Sequence, residues 1–418
     1  MARFTAQVWA KVLNLAMTAV MLQSVGATSL GRYLMVLTVG GIVLSVADMG
    51  LGVYLTRETA RLDCVDQQRR LAGDVLAVKV VLAGSGYALI LLASIVLPLQ
   101  AQTSALLRVA GLTLVPDAAI AAVQSYLTGQ RRLDLASGLI AGVRSLAALG
   151  GGALLLAGRG VMGVLWAGAA ASCLGLLLGI RSLRRSGRAP VVDAGTLPSA
   201  ARWRALLAES YPFAATGIIA MLYTRLDLLL LGFLHGEEVA GWYGAAYRLW
   251  EAVHLMPSSL LDALFPEMAQ VAQRADGWRW LRRLVTYGAG AFAATGLLLA
   301  LGGNLLGGSL LTLLYGAEAA RGPTVQTWRV LSWAIPAVFV YLLGGQVLYA
   351  IGAQRKVTAR MMVVALANAA ANLLLIPRWR HIGAAVSMVA TEWLLSGLLW
   401  GGALQELARQ RRPKAEAY

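Results

Sequence analysis

Along the chain, long apolar runs alternate with short clusters of charge, and each run is about as long as a helix needs to cross a hydrocarbon core of roughly 30 Å. Counting these windows predicts twelve spans, near 6–27, 32–56, 72–97, 105–128, 135–157, 161–180, 206–234, 239–265, 284–314, 326–351, 357–376 and 382–404. All are expected to be helices, because backbone facing lipid has to satisfy its own hydrogen bonds. The predicted fold class is therefore an all-α membrane protein. Its parts are an N-terminal six-helix bundle (1–180), a linker (181–205), a C-terminal six-helix bundle (206–404) and a basic tail (405–418).

Composition agrees with that pattern. Of 418 residues 58% are hydrophobic and 13% charged, with a mean hydropathy of +0.67, whereas a soluble domain carries about 25% charged residues. The basic residues set an orientation. With the N-terminus cytoplasmic, inside segments hold Arg57, Arg61, Arg69, Arg70, Arg131 and Arg132, then Arg181, Arg184, Arg185, Arg188, Arg202 and Arg204. They continue with Arg274, Arg279, Arg282, Arg283, Arg355, Lys356 and Arg360, and end with Arg409, Arg411, Arg412 and Lys414. Outside segments keep only Arg32, Arg159, Arg321, Arg378 and Arg380. That asymmetry places both termini inside and accounts for most of the +16 net charge, so no nucleic-acid partner is needed. Arg3 and Lys11 ahead of an apolar run imitate a signal peptide, but Asn14 and Thr18 within the run and the spans that follow argue for a retained first helix. Cys64 and Cys173 suggest neither a disulfide framework nor a metal site.

The halves repeat. "SLGRYLMVL" (29–37) pairs with "VAGWYGAAY" (239–247), "YLTGQRR" (126–132) with "YAIGAQRK" (349–356), and "RGVMGVLWAGAAA" (159–171) with "RHIGAAVSMVATE" (380–392). Each pair holds the same place in its half, and both halves begin on the same side. This predicts a pseudo-two-fold along the membrane normal, an arrangement found in transporters.

Charges inside the spans are the candidate chemistry, since each costs at least about 2.5–3.5 kcal/mol to insert. The bases singled out within spans are Lys79, Arg144, Arg225 and Arg248, and the acids Asp48, Asp117, Asp227, Glu251, Asp262 and Glu392. Lys79, near a cytoplasmic end, is expected to snorkel to the surface. Glu392 is expected to pair with a neighbour. Arg248, Glu251, Ser258 and Asp262 share one helix face, with Tyr243, Tyr247 and His254 beside it, and Arg248 and Glu251 stand at ion-pair spacing. Gln7, Lys11, Asn14 and Thr18 form a second polar stripe, and Thr38, Gly41, Ser45, Asp48 and Gly52 a third. These stripes predict helices around a wet central cavity, with polar contacts between helices as the alternative. Pro98, Pro116, Pro257 and Pro336 predict kinks. Three scattered His and no Walker, G-x-S-x-G or metal-ligand motif leave enzyme readings without support, and no cofactor is expected.

The block "YPFAATGIIAMLYTRLDLLLLGFLHGEEVAGWYGAAYRLWEAV" (211–253) resembles the start of the second half of polysaccharide-repeat flippases, and "ADMGLGVYLTRETAR" (47–61) is similar to their "D-x-G-L" turn. The resemblance covers essentially the whole chain. It implies two six-helix bundles forming a V around a central cavity that opens alternately to each side of a bacterial cytoplasmic membrane. The implied substrate is an undecaprenyl-diphosphate-linked oligosaccharide moved from the inner to the outer leaflet, with membrane lipid around the chain. A polysaccharide polymerase or export machinery is the implied class of protein partner. Asp48, Arg225, Asp227 and Tyr243 occupy family-type positions. In this reading Arg225, Arg248, Arg144 and Lys11 engage the diphosphate, a geometry that guanidinium groups suit, and Asp48, Asp227 and Glu251 exchange partners as the cavity changes side. The rival reading is an ion-coupled multidrug or organic-cation extruder of the same superfamily.

Overall fold

A computed structural model of the chain describes residues 2–96, 100–185, 187, 189–191, 199–274, 276–316 and 322–410. Pro98, Arg188, Arg321, Arg411, Arg412 and Lys414 lie outside these, as does the side chain of Gln7. The described residues form helices joined by short turns: α1 Ala2–Asp48, α2 Leu51–Arg61, α3 Val65–Val96, α4 Ala101–Gly111, α5 Leu114–Gly129, α6 Leu133–Leu154, α7 Gly160–Arg185 and α8 Ala200–His235. They continue with α9 Glu237–Ala272, α10 Gly277–Arg283, α11 Ala289–Tyr315, α12 Pro323–Leu331, α13 Ile335–Ala350 and α14 Gln354–Gln410. Among the described residues seven helical stretches are long and apolar enough to cross a membrane. The protein is thus an all-helical, multi-pass membrane protein.

Glycine and proline set the breaks. At about 1.5 Å per residue, an unbroken α1 would run about 70 Å, far beyond the hydrocarbon thickness. It breaks at Gly26 (φ 77°, ψ 175°), a conformation open only to glycine. α14 breaks at Arg380 (φ 50°), shortly after Pro377, and a five-residue stretch, Leu155–Arg159, with Gly158 at φ 77° separates α6 from α7. Pro116 and Pro336 stand in the first turns of α5 and α13, where the missing N–H costs nothing. α9 continues through Pro257 and Pro266 as one helical element.

The turns that end α5 and α13 are built alike. Arg132 N–H reaches Leu127 O and Arg131 N–H reaches Thr128 O; Ala353 N–H reaches Leu348 O and Gly352 N–H reaches Tyr349 O. Both are Schellman ends, with Arg131 (φ 59°) and Gly352 (φ 78°) as the left-handed residues. The backbone therefore equates Tyr126 with Val347, which corrects the sequence pairing of Tyr126 with Tyr349.

By contact density the chain divides into two units, residues 1–225 and 226–418. In the first, one buried cluster gathers Leu51 and Leu55 of α2, Val75 and Val78 of α3, Val123 and Tyr126 of α5, Leu183 of α7 and Leu206 of α8. The segment preceding α8 is tied to the same end: Val191 N–H donates to Arg69 O (3.1 Å), and the Arg69 guanidinium donates to Ala189 O (2.9 Å). Gly50 at the α1–α2 junction has φ 73°, and a Cβ there would lie 2.5 Å from Ser210 O of α8. The glycine of "D-x-G-L" thus permits both a left-handed turn and a backbone approach. Replacing Gly50 with Ala should cost roughly 1–3 kcal/mol and lower the unfolding temperature in detergent. Gly138→Ala, where the added carbon meets nothing within 4 Å, should leave it unchanged or raise it.

Candidate functional site

In the first unit two arrangements of charge stand out. At the end of α1 the Asp48 carboxylate lies 2.5 Å from Lys79 Nζ of α3, and its other oxygen accepts a long bond from Gly52 N–H (3.4 Å). Lys79 is 1% exposed among Val75, Val78 and Ala83. The expected snorkelling is therefore corrected: Lys79 points into the helical packing, because a carboxylate waits for it there. Thr18 and Thr38 also turn inward, donating to Asn14 O and Leu34 O of their own helices. The polar stripes on α1 are thus partly spent on the helix itself, and Ser45 donates to Met221 Sδ of α8 (2.8 Å).

The second arrangement is a cavity of about 430 Å³ within this unit, lined by Asn14, Tyr33, Asp117, Gln124, Arg144 and Ser172 among apolar neighbours from α1, α4, α5, α6 and α7. That volume suits a small ligand or one part of a larger one. Asp117 accepts a bond from Ser172 Oγ (2.7 Å). Arg144 makes no ion pair or side-chain hydrogen bond among the described residues. An exposed cation on the wall of a mostly apolar hollow, without an ionic partner among the described residues, is open to an anion. Lys11 stands one turn before Asn14 on α1 and is half-buried.

In the second unit the charges are answered locally. Arg248 and Glu251 form an ion pair of 2.7 Å on α9, with side chains 14% and 11% exposed, as their spacing predicted. Asp227 of α8 is 6% exposed; one oxygen accepts from Leu228 N–H (2.7 Å) and the other from the Tyr243 hydroxyl of α9. Asp227 therefore faces a neighbouring helix, while Arg225, half-buried, belongs by contact to the first unit. Tyr243, Tyr247, Trp250 and His254 form a ladder along α9 with ring spacings of 5.9, 5.4 and 5.5 Å. His254 meets the Tyr341 hydroxyl at 3.1 Å, and Asp262 accepts from Gln346 (3.1 Å).

Asp117 was among the acids expected within spans, but that it lines one hollow with Gln124 and Arg144 is a matter of tertiary packing that no spacing announces. Two further groups, Gln124 and an asparagine pair, escaped sequence reasoning. Asn368 and Asn372 of α14 bond each other (2.9 Å), and Asn368 reaches Thr391 across the α14 break (3.1 Å); their i, i+4 placement in an apolar run was a usable signal.

The chain is thus a multi-pass helical membrane protein with a hollow and buried charge pairs in its helical packing. Comparison with known proteins narrows this. A family described as "Polysaccharide biosynthesis protein" matches residues 2–272, and the family "Lipid II flippase MurJ" matches residues 226–415. The first match spans well over half of the chain, which belongs to that polysaccharide biosynthesis family. "Probable flippase AglR" of Haloferax volcanii is 27% identical over 272 residues, covering 64% of this chain and 54% of the relative. The chain thus matches about half the length of that curated relative. In fold it is similar to the lipid II flippase MurJ in an inward closed conformation (TM-score 0.79, 11% identity, 97% of this chain and 89% of that one). It is also similar to an inward-facing multidrug resistance MATE family transporter of the MOP superfamily (TM-score 0.73, 14% identity, 97% and 96% covered).

The Asp48–Lys79 pair yields a stability test. Removing one partner of a buried pair costs about 3–5 kcal/mol, and removing both costs much less. With Asp48's side chain 32% exposed, Lys79→Met should fall near the lower end of that range. Asp48→Asn combined with Lys79→Met should recover most of the loss, read as unfolding temperature in detergent.

Proposed function

We propose that this protein is a lipid-linked oligosaccharide flippase that moves undecaprenyl-diphosphate-linked polysaccharide repeat units from the inner to the outer leaflet of a bacterial cytoplasmic membrane. The observation that carries the reading is Arg144, a cation without an ionic partner among the described residues, lining a hollow of about 430 Å³. A diphosphate has to exchange its hydration for fixed donors before it can pass hydrocarbon, and a guanidinium offers them in matching geometry. Outward movement of a negative head group is favoured by an inside-negative potential, by about 2.3 kcal/mol per charge per 100 mV. Membership of a polysaccharide biosynthesis family supports the reading, as does the flippase name of the Haloferax volcanii relative.

Transport in this proposal follows alternating access. Twelve spans form two six-helix bundles, 1–180 and 206–404, joined by the 181–205 linker, with both termini inside as the distribution of basic residues favours. The breaks at Gly26, Gly158 and Arg380 support that count, since each divides a helical stretch too long for one crossing. Arg144 engages the diphosphate first. Arg225, Arg248 and Lys11 complete the path, and Asp48, Asp227 and Glu251 hold or release cations as the access changes. Arg248 engages only once freed from Glu251.

A second reading, an ion-coupled extruder of organic cations, draws on Asp117, a carboxylate in the same hollow, and on the fold likeness to a MATE transporter. Proteoliposomes separate the two. The wild type should move a fluorescent undecaprenyl-diphosphate oligosaccharide outward, faster under an imposed potential. Arg144→Ala should slow that movement about ten- to a hundredfold at normal protein abundance, the worth of one charge-assisted contact of about 1.5–3 kcal/mol. An unchanged rate would remove Arg144 from the site. No lipid movement, with proton-driven efflux of an organic cation, would establish the extruder instead.

A further inference from the structure

α6 presents two different faces. Ile140, Arg144 and Ala148 line the hollow. Gly138, Gly142 and Leu146 line a separate groove of about 320 Å³ on the opposite side, closed by α7 through Gly175, Leu178 and Gly179. The glycines of the two helices do different things. A Cβ on Gly175 would lie 2.2 Å from a methyl of Val143, so that glycine serves helix contact, whereas a Cβ on Gly138 or Gly142 would meet nothing within 4 Å. Ordinary side chains at those two positions would occupy the groove; glycine leaves it open. Leu135, Leu146 and Leu178 beside it are 38%, 42% and 53% exposed, in a stretch apolar enough to lie in a bilayer.

One end of this groove is polar. Arg132, Asp134 and Ser182 line it, and Arg132 makes no ion pair or side-chain hydrogen bond among the described residues. Arg131 stands next to it, and Arg181, Arg184 and Arg185 end α7 beside Ser182, all four exposed. Arg132 is the guanidinium that lines this end with Asp134, and the exposed Arg131, Arg181, Arg184 and Arg185 nearby in the chain tip the charge of that end positive. Apolar walls under a basic rim match a lipid with a hydrocarbon chain and a negative head, and basic pockets between membrane helices bind such head groups.

We propose that the α6–α7 groove is a binding site for an anionic glycerophospholipid, with one acyl chain lying against Gly138 and Gly142 and the phosphate at Arg132. The groove and the hollow share Val143 alone among their lining residues, and the rest of each lies on a different face of α6. The lipid site does not depend on the flippase reading.

Native mass spectrometry of the purified full chain in detergent, titrated with phosphatidylglycerol or phosphatidylcholine, tests the assignment. The wild type should take one saturable phosphatidylglycerol at concentrations about tenfold lower than phosphatidylcholine. Gly138→Leu with Gly142→Leu should abolish that adduct for both lipids, with the chain still folded because both positions have room. Arg132→Gln should erase the preference between head groups while leaving a weak adduct, and it carries the test alone if the leucine variants fail to fold. Gly290→Leu, at an exposed open position on α11, should bind as wild type does. Equal binding of the two lipids by the wild type would reduce the groove to annular lipid and overturn the proposal. So would unchanged binding in the groove variants. Displacement of phosphatidylglycerol by equimolar undecaprenyl phosphate would overturn it too, and would give the groove to the carrier lipid.

Discussion

An ammonium group 1% exposed in the packing of apolar helices, with a carboxylate 2.5 Å away, is the arrangement around which the first unit is organised. The buried ammonium needs its carboxylate, whose own side chain is 32% exposed, and the pair links α1 to α3. Asp48 ends α1, Lys79 sits in the middle third of α3, and Gly50 follows at once with a turn that lets α8 come close. The "D-x-G-L" stretch thus reads as one device. The acid fixes α3, the glycine admits α8, and the leucine, fully buried, joins the core cluster.

The same rule sorts the remaining cations. Lys79 and Arg248 have carboxylates within 2.7 Å, so either has to break a contact before it can meet an anion. Breaking such a pair costs several kcal/mol unless the incoming group replaces what is lost. Arg144 faces no such cost. A chain that handles a diphosphate benefits from both kinds: an open cation that recognises, and held cations that respond only when a strong anion competes for them. Asp227 differs again, because its oxygens are taken by a backbone N–H and a tyrosine hydroxyl. Those two contacts hold Asp227 to its own backbone and to α9.

Much of the architecture was legible in the sequence, because the bilayer permits few solutions. Apolar windows of about 20 residues mark helix, and the described residues of those windows are nearly all helical, although breaks at Met49–Gly50, Leu112–Thr113 and Ser332–Ala334 fall inside three of them. The Arg248–Glu251 pair was legible for the same local reason, three residues apart on one helix. What could not be read depends on which face of one helix meets which face of another. Lys79 was expected at the surface because its position along the span resembles a helix end; its direction around the helix axis, toward Asp48, is a tertiary fact. The Tyr126 and Tyr349 pairing misled for a related reason. The halves share a turn defined by hydrogen bonds, and side-chain identity drifts around a conserved backbone shape.

Glycine shows the limit most plainly. Gly50, Gly175 and Gly142 are indistinguishable as letters in an apolar stretch, and membrane helices use small residues freely at their contacts. In space one supports a left-handed turn, one lets two helices touch, and one does neither and leaves a hollow. An open glycine alone assigns nothing, since Gly290 is open too. What sets Gly138 and Gly142 apart is the groove they line with Arg132 at its end, and it is that pairing of apolar wall and cation that fits a hydrocarbon chain with a negative head.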